Sequence, residues 1–191
     1  MPPKTAKPQT PRTKSRYSRP VFDYAVTLQS EYAQRPLRSN FYVMVSALYA
    51  IDVIMRITGD EAVLDQIEAI VERILDTLAA ELRAETARLD ALMETHGTRL
   101  TVRYESPLSM TVHVSSPQLA KYTRLIEDFD RLMIVMDTLW LGGVLSNKQR
   151  AVGAHTWRVK LMDVGREIVQ LANRARASVR RSGREADIQA I

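Results

Sequence analysis

Between Val21 and Ile57 the spacing of apolar and polar residues predicts two helices. This spacing predicts a helix over Val21–Gln34 that Pro36 stops. It predicts a second helix over Asn40–Ile57, with Ser39 as its N-cap. The second helix is apolar over most of its surface, which indicates a place in the core or in a subunit interface.

The longest periodic segment is Glu61–Thr95, and Gly97 follows its end. Its apolar residues step by three and four, with charged faces between them, as in a coiled coil. A continuous helix of this length would extend about 50 Å at 1.5 Å per residue. The stripe predicts a helical partner, and the sequence leaves open whether it lies in the same chain or across a dimer. Its members are Leu64, Ile67, Val71, Ile74, Leu78, Leu82, Leu89 and Leu92.

Residues 100–115 show the alternation of apolar and polar side chains that predicts β-strands. One run covers 100–105 and a second covers 108–115, with Ser106-Pro107 between them. Each run has one apolar face and one polar face. We therefore expect a short ribbon that packs on helices with one side and leaves the other side open to solvent or a ligand.

Two further helices follow this ribbon. Ser116-Pro117 is a strong helix start, with Ser at the N-cap and Pro at the first helical position, and the helix should run to about Leu141. Gly142-Gly143 ends it. A capping box over Ser146–Gln149 then opens the last helix, which extends to about Ala175.

These elements predict a mainly α fold with a short β-ribbon, in which a ribbon-helix-helix-like core carries additional long helices. Composition divides the chain into a disordered basic arm over residues 1–20, a single mainly helical domain over 21–181, and a flexible tail over 182–191. The ribbon-helix-helix-like part occupies residues 100–175 of the domain.

Charge is unevenly distributed along the chain. Residues 1–20 contain six basic residues and no acidic one, and residues 158–191 contain eight basic residues against four acidic ones. A neutral-to-acidic body with two basic ends favours a polyanionic partner, although solubilising tails produce the same pattern. Such an arm could bind phosphates but would not distinguish DNA sequences. The basic residues of the arm are Lys4, Lys7, Arg12, Lys14, Arg16 and Arg19.

Several classes of function find no support in the sequence. The chain has no cysteine, and its three histidines show no ligand spacing, so we expect no metal site. No glycine-rich phosphate loop or nucleophile elbow is present, so we expect no enzyme, no cofactor and no small-molecule substrate. No apolar run reaches membrane-spanning length and no apolar signal segment opens the chain, which favours a cytoplasmic protein.

The strand–helix–helix order supports a first mode of DNA binding. Two chains could pair their strands into an antiparallel ribbon that enters the major groove, where the exposed alternate residues contact bases. Arg103 is the best candidate among them, because its guanidinium can bind guanine through two hydrogen bonds. An ordinary hairpin covering the core would show the same alternation. The candidate base-contacting residues are Thr101, Arg103, Ser109, Thr111 and His113.

A helix-turn-helix is a second mode. In it, Gly142-Gly143 forms the turn and the following helix lies in the groove, so that Lys148 and Arg150 contact DNA. The alternative is the simple turn of a helical hairpin, which the apolar Val144-Leu145 and Trp157 favour.

Residues 100–175 resemble the AcaB-like regulators and related proteins of integrating conjugative elements and conjugative plasmids. The resemblance rests on Tyr104–Pro107, the acidic pair Asp128 and Asp130, the turn at Leu139–Gly143, and Trp157-Arg158. It implies a dimeric ribbon-helix-helix DNA-binding regulator of transfer genes.

Under that resemblance, Thr111 and His113 would face DNA. The resulting hypothesis is a homodimeric, sequence-specific regulator of a mobile element that binds double-stranded DNA. The alternative hypothesis is a helical assembly or relaxosome accessory protein of a conjugative element that uses the helix over residues 61–95 for protein partners.

Overall fold

The computed structural model describes residues 20–58, 61–98 and 101–181, and in these ranges it has four helices and one two-stranded antiparallel sheet. The mainly α class with a short β-ribbon is confirmed. Residues 1–19 of the predicted basic arm and the predicted tail at 182–191 lie outside the described residues. In chain order the elements are β1 (Phe22–Leu28), α1 (Glu31–Thr58), α2 (Glu61–Thr95), β2 (Leu108–Val114), α3 (Pro117–Leu141) and α4 (Asn147–Arg181).

The helix that we predicted over Val21–Gln34 is wrong over Phe22–Leu28, which form strand β1. The side chains of Val26 and Leu28 on this strand are buried, whereas those of the alternate residues Ala25 and Thr27 are exposed. A period of two is the strand pattern, and a helix would not separate neighbouring side chains in this way. The alternation was present in the sequence, but it is short and adjoins a genuine helix.

Helix α1 is one continuous helix where two were predicted. It joins the end of the predicted helix Val21–Gln34 to the whole of the predicted helix Asn40–Ile57. Ser30 is its N-cap, since its hydroxyl accepts a hydrogen bond of 3.3 Å from the backbone N–H three residues later. Pro36 lies buried inside the helix rather than ending it. Ser39, our predicted N-cap, is an interior residue whose hydroxyl donates to the carbonyl oxygen of Arg35 at 2.8 Å. Pro36 is the sixth residue of α1, so it removes one backbone hydrogen bond and its ring crowds the carbonyl group of Tyr32.

The first predicted strand, over 100–105, is wrong in the part that the structure describes. Residues 101–107 have no regular structure and run along the C-terminal half of α3. Val102 N–H donates to Thr138 Oγ1 at 3.2 Å, and the Tyr104 hydroxyl donates to Asp137 Oδ2 at 2.7 Å. The segment is therefore held by side chains of α3, and its alternation reflects one face packed on that helix.

The partner of β2 is β1, which lies in the same chain. The two strands pair over seven residues each, from Phe22 opposite Val114 to Leu28 opposite Leu108, with Ala25 opposite Thr111 at the centre. Their apolar face packs on α1 and α3, and the other face is open to solvent. We expected strands from two chains, because the sequence of β1 was assigned to a helix.

The order strand–helix–helix occurs twice, displaced by 86 residue numbers. Phe22 and Leu108 begin the strands, Glu31 and Pro117 begin the first helices, and α2 and α4 begin at equally displaced positions. The strands have 7 residues each, and α2 and α4 have 35 residues each. We call 22–95 the first repeat and 108–181 the second repeat.

The second helix of each repeat packs on the first helix of the other repeat. Helix α4 packs chiefly on α1, and α2 packs chiefly on α3, while α1 and α3 meet beneath the ribbon. The apolar stripe of α2 is buried in this way, so its helical partner lies within the chain. The side chain of Leu64 lies outside the described residues, and four of the predicted stripe residues are buried: Val71, Leu78, Leu82 and Leu89. Leu75, which the prediction did not include, is buried beside them.

A buried carboxylate fastens the ribbon to the helical layer. Asp130 on α3 is only 4% exposed. It accepts hydrogen bonds from the backbone N–H groups of Gln29 and Ser30, both at 2.7 Å, and from the Ser30 hydroxyl at 2.6 Å. Three donors compensate for the burial of the charge. Asp130 therefore fixes the junction between β1 and α1 against α3 of the other repeat.

Replacing Asp130 with Ala should lower the free energy of unfolding by about 3 kcal/mol, because two backbone N–H groups and a buried hydroxyl lose their acceptor. Urea denaturation at neutral pH measures the change.

Asp128→Asn is the matched control, since Asp128 lies on the same helix. Burial raises the pKa of Asp128, while Arg83 and Arg131 partly oppose this shift. A carboxyl with a raised pKa in the folded state disfavours folding when it is ionised. Asp128→Asn should therefore not destabilise the protein at neutral pH, and any gain should vanish as the pH falls below the ordinary value of 3.8. Equal losses for both variants would contradict the role of Asp130.

Candidate nucleic-acid interface

The outer surface of the two-stranded sheet is the candidate site. All six side chains on it are exposed, and they point away from α1 and α3 because their neighbours along each strand point toward the helices. We call this surface the ribbon face. It consists of Asp23, Ala25 and Thr27 from β1, and Ser109, Thr111 and His113 from β2.

The ribbon face carries hydrogen-bonding groups at both ends. At one end His113 Nδ1 lies 2.6 Å from Asp23 Oδ1, and these side chains are 73% and 71% exposed. At the other end the hydroxyl oxygens of Thr27 and Ser109 lie 3.0 Å apart. Neither strand contains Lys or Arg. The face therefore offers donors and acceptors with little positive charge of its own.

Three of the predicted base-contacting residues lie together on the ribbon face. Ser109, Thr111 and His113 occupy exposed alternate positions of β2, as their spacing predicted. Thr101 and Arg103 are exposed, but they belong to the irregular segment before β2 and are not part of the ladder. The strand ladder thus brings Ser109, Thr111 and His113 together. It leaves Arg103, the best candidate for base contact, outside.

Half of the ribbon face was missed by the sequence analysis. Asp23, Ala25 and Thr27 were assigned to a helix, so their exposure on a strand was not foreseen. The signal that could have found them is the alternation in the sequence FDYAVTL, which has the same period as LSMTVHV in β2.

Arg150, predicted to contact DNA in a helix-turn-helix, is engaged within the chain. Its Nε donates a hydrogen bond to Asp137 Oδ1, and this bond raises the pKa of Arg150. The guanidinium carbon lies 4.4 Å from the ring centroid of Trp140 and 5.8 Å from that of Tyr32. Lys148, the other residue of that prediction, is exposed in the first turn of α4.

Asp137 links the second repeat to the segment that precedes it. Besides Arg150, it accepts the hydrogen bond from Tyr104, whose pKa is raised by burial and by this bond. Asp137 is 7% exposed and so depends on both donors. This arrangement gives Arg150 a structural role at the N-terminus of α4.

The described residues contain no group of three or more His, Asp or Glu side chains placed to hold a metal ion. Within the same part of the chain, no helix combines the length and apolar character needed to cross a membrane.

Comparison with known proteins gives a clear relative. No family model and no curated protein matches the chain. A solved structure, selenomethionine-containing AcaB from uropathogenic E. coli, matches with a TM-score of 0.87 at 35% sequence identity, over 90% of this chain and 89% of that one. The chain belongs to the AcaB-like family.

The AcaB-like fold therefore covers more than the segment in which the resemblance was found. That segment, residues 100–175, holds β2, α3 and most of α4, whereas a match over 90% of the chain takes in the first repeat as well. In this AcaB-like chain the ribbon face is built equally from both repeats.

Replacing Arg150 with Met should reduce the free energy of unfolding by about 2 kcal/mol, because Asp137 keeps its burial but loses its cation. Thermal and urea denaturation measure the loss. Lys148→Ala, two residues away on the exposed surface, should change the stability by less than about 0.5 kcal/mol. Equal stability of the two variants would show that the contact with Asp137 contributes nothing.

Proposed function

We propose that this AcaB-like protein is a sequence-specific double-stranded DNA-binding regulator of a conjugative or integrative mobile element. It inserts the ribbon face into the major groove. One observation carries the proposal: two strand–helix–helix repeats meet through equal antiparallel strands whose polar faces point outward. A two-stranded ribbon with an outward polar face is the element that β-ribbon proteins place in a groove of DNA, and here both strands belong to a single chain.

The dimensions and chemistry of the ribbon face suit the major groove. The groove is about 12 Å wide and admits a two-stranded ribbon. Hydroxyl groups such as those of Ser109 and Thr111 donate to or accept from any base edge, and a Thr methyl can contact the thymine methyl. Because Thr111 and its partner Ala25 are small, the middle of the ribbon can approach the base edges closely.

The charge needed for affinity comes from outside the ribbon face. Six basic residues within positions 1–19 directly precede β1 in the sequence. Lys and Arg contacts to phosphate supply affinity that is independent of sequence, so the arm and the ribbon face would divide affinity and specificity between them.

The role in a mobile element follows from the family. AcaB-like proteins are regulators of conjugative and integrating elements in the resemblance noted from the sequence, and this chain shares their fold. The alternative, an assembly protein that uses α2 for partners, loses support, because four residues of the apolar stripe of α2 are already buried and α2 packs chiefly on α3. A homodimer, which the sequence suggested, is not needed to form the ribbon.

Selection from a library of random double-stranded DNA tests the proposal. The purified protein should enrich a defined motif, because the ribbon face contacts base edges. A variant with Thr111→Ala and His113→Ala should lose that enrichment while keeping sequence-independent binding at low salt. His155→Ala with Thr156→Ala, the same residue types exposed on α4, is the matched control and should keep the motif. A motif lost only in the α4 variant would favour the helix-turn-helix instead.

Removing residues 2–19 should weaken binding to all DNA sequences alike and leave the selected motif unchanged, because phosphate contacts carry no sequence information. If all six basic residues contact phosphate, the slope of log affinity against log salt should become shallower by about 5. Affinities measured by fluorescence anisotropy at several salt concentrations between about 50 and 200 mM give this slope. A changed motif would place the specificity in the arm.

A further inference from the structure

We propose that a single chain recognises an asymmetric DNA site whose two half-sites differ, because the two ends of its ribbon face carry different chemistry. This inference rests on the proposed function and deepens it. It concerns what kind of DNA site is bound and by how many chains.

The backbone of the ribbon has an approximate two-fold axis. Displacement by 86 residue numbers carries Ala25 onto Thr111, and these two residues face each other at the centre of the ladder. The same operation carries the pair of Asp23 and His113 onto the pair of Ser109 and Thr27. In a homodimer of identical strands these two ends would be identical.

In this chain the two ends differ. One end holds a carboxylate 2.6 Å from an imidazole, at Asp23 and His113. The other end holds two hydroxyls 3.0 Å apart, at Thr27 and Ser109. A carboxylate only accepts hydrogen bonds and so favours the amino group of cytosine, whereas hydroxyls both donate and accept. The two ends therefore prefer different base pairs.

The spacing of the ends fits two half-sites within one stretch of groove. The end pairs are four residues apart along each strand. At about 3.3 Å per residue this is about 13 Å, or about four base pairs at 3.4 Å each. Both ends can therefore contact the same groove in one bound complex.

One chain is sufficient for this contact. In ribbon-helix-helix proteins a second chain supplies the second strand and the exchanged helix. Here α4 covers α1, α2 covers α3, and β1 completes the ribbon with β2, all within one chain. The expected complex contains one chain for each site.

The test makes the two ends alike and repeats the selection from random DNA. Asp23→Ser with His113→Thr places the hydroxyl pair at both ends, and Ala25→Thr makes the centre symmetric. Thr27→His with Ser109→Asp instead places the acid–imidazole pair at both ends. All five positions are exposed, so both variants should fold, which circular dichroism and thermal denaturation check.

The wild-type protein should select a motif without two-fold symmetry. The hydroxyl variant should select an inverted repeat of one half of that motif, and the acid–imidazole variant an inverted repeat of the other half. Each variant should bind its own inverted repeat at least about tenfold more tightly than the wild-type site. Asp23→Asn with His113→Gln, which alters one end without matching the other, is the control and should keep an asymmetric motif.

Sedimentation velocity with the selected DNA should give one chain per site. An inverted repeat selected by the wild-type protein, or two chains on each site, would overturn the inference while leaving DNA recognition by the ribbon face intact. Enrichment of no motif by the wild-type protein or by any variant would overturn the proposed function and this inference together.

Discussion

The exchange of helices between the two repeats is the constraint on which the rest of the fold depends. A single strand–helix–helix unit would leave the apolar face of its second helix uncovered, and an isolated two-stranded ribbon is marginal in water. Packing α4 on α1 and α2 on α3 covers both faces at once. It also brings α1 and α3 side by side, which gives the inner surface of the ribbon its support. Neither repeat can form its core without the other.

The two repeats share a backbone plan but have diverged in their side chains. Ser30 and Ser116 cap equivalent helices in the same way. The junction at Ser30 is also held by Asp130, whereas the position equivalent to Asp130 in the first repeat is Met44, a buried apolar residue. Likewise, the glycine at 153, where a Cβ would clash with the end of Met136, corresponds to Ile67 in the first repeat. Each repeat therefore has side chains that fit its own packing neighbours.

Much of the fold could be predicted from local signals, and the remainder depended on non-local pairing. The bounds of α2 and the starts of α3 and α4 follow from caps and terminating glycines, which act within a few residues. Strand β1 was missed because seven residues of alternation are a weak signal without knowledge of the partner. The repeat was missed for the same reason, since equivalent positions such as Tyr24 and Met110 are rarely identical. The candidate site was therefore half predicted, on β2 alone.

The segment between α2 and β2 has a consequence for how the protein responds to its own concentration. It joins the repeats covalently, and Val102 and Tyr104 anchor it to α3. Bringing the two repeats together is thus an intramolecular step, with an effective concentration set by a short connection. Dilution cannot separate the two strands of the ribbon. Formation of the ribbon is therefore independent of protein concentration, whereas pairing of strands from two separate chains would depend on it.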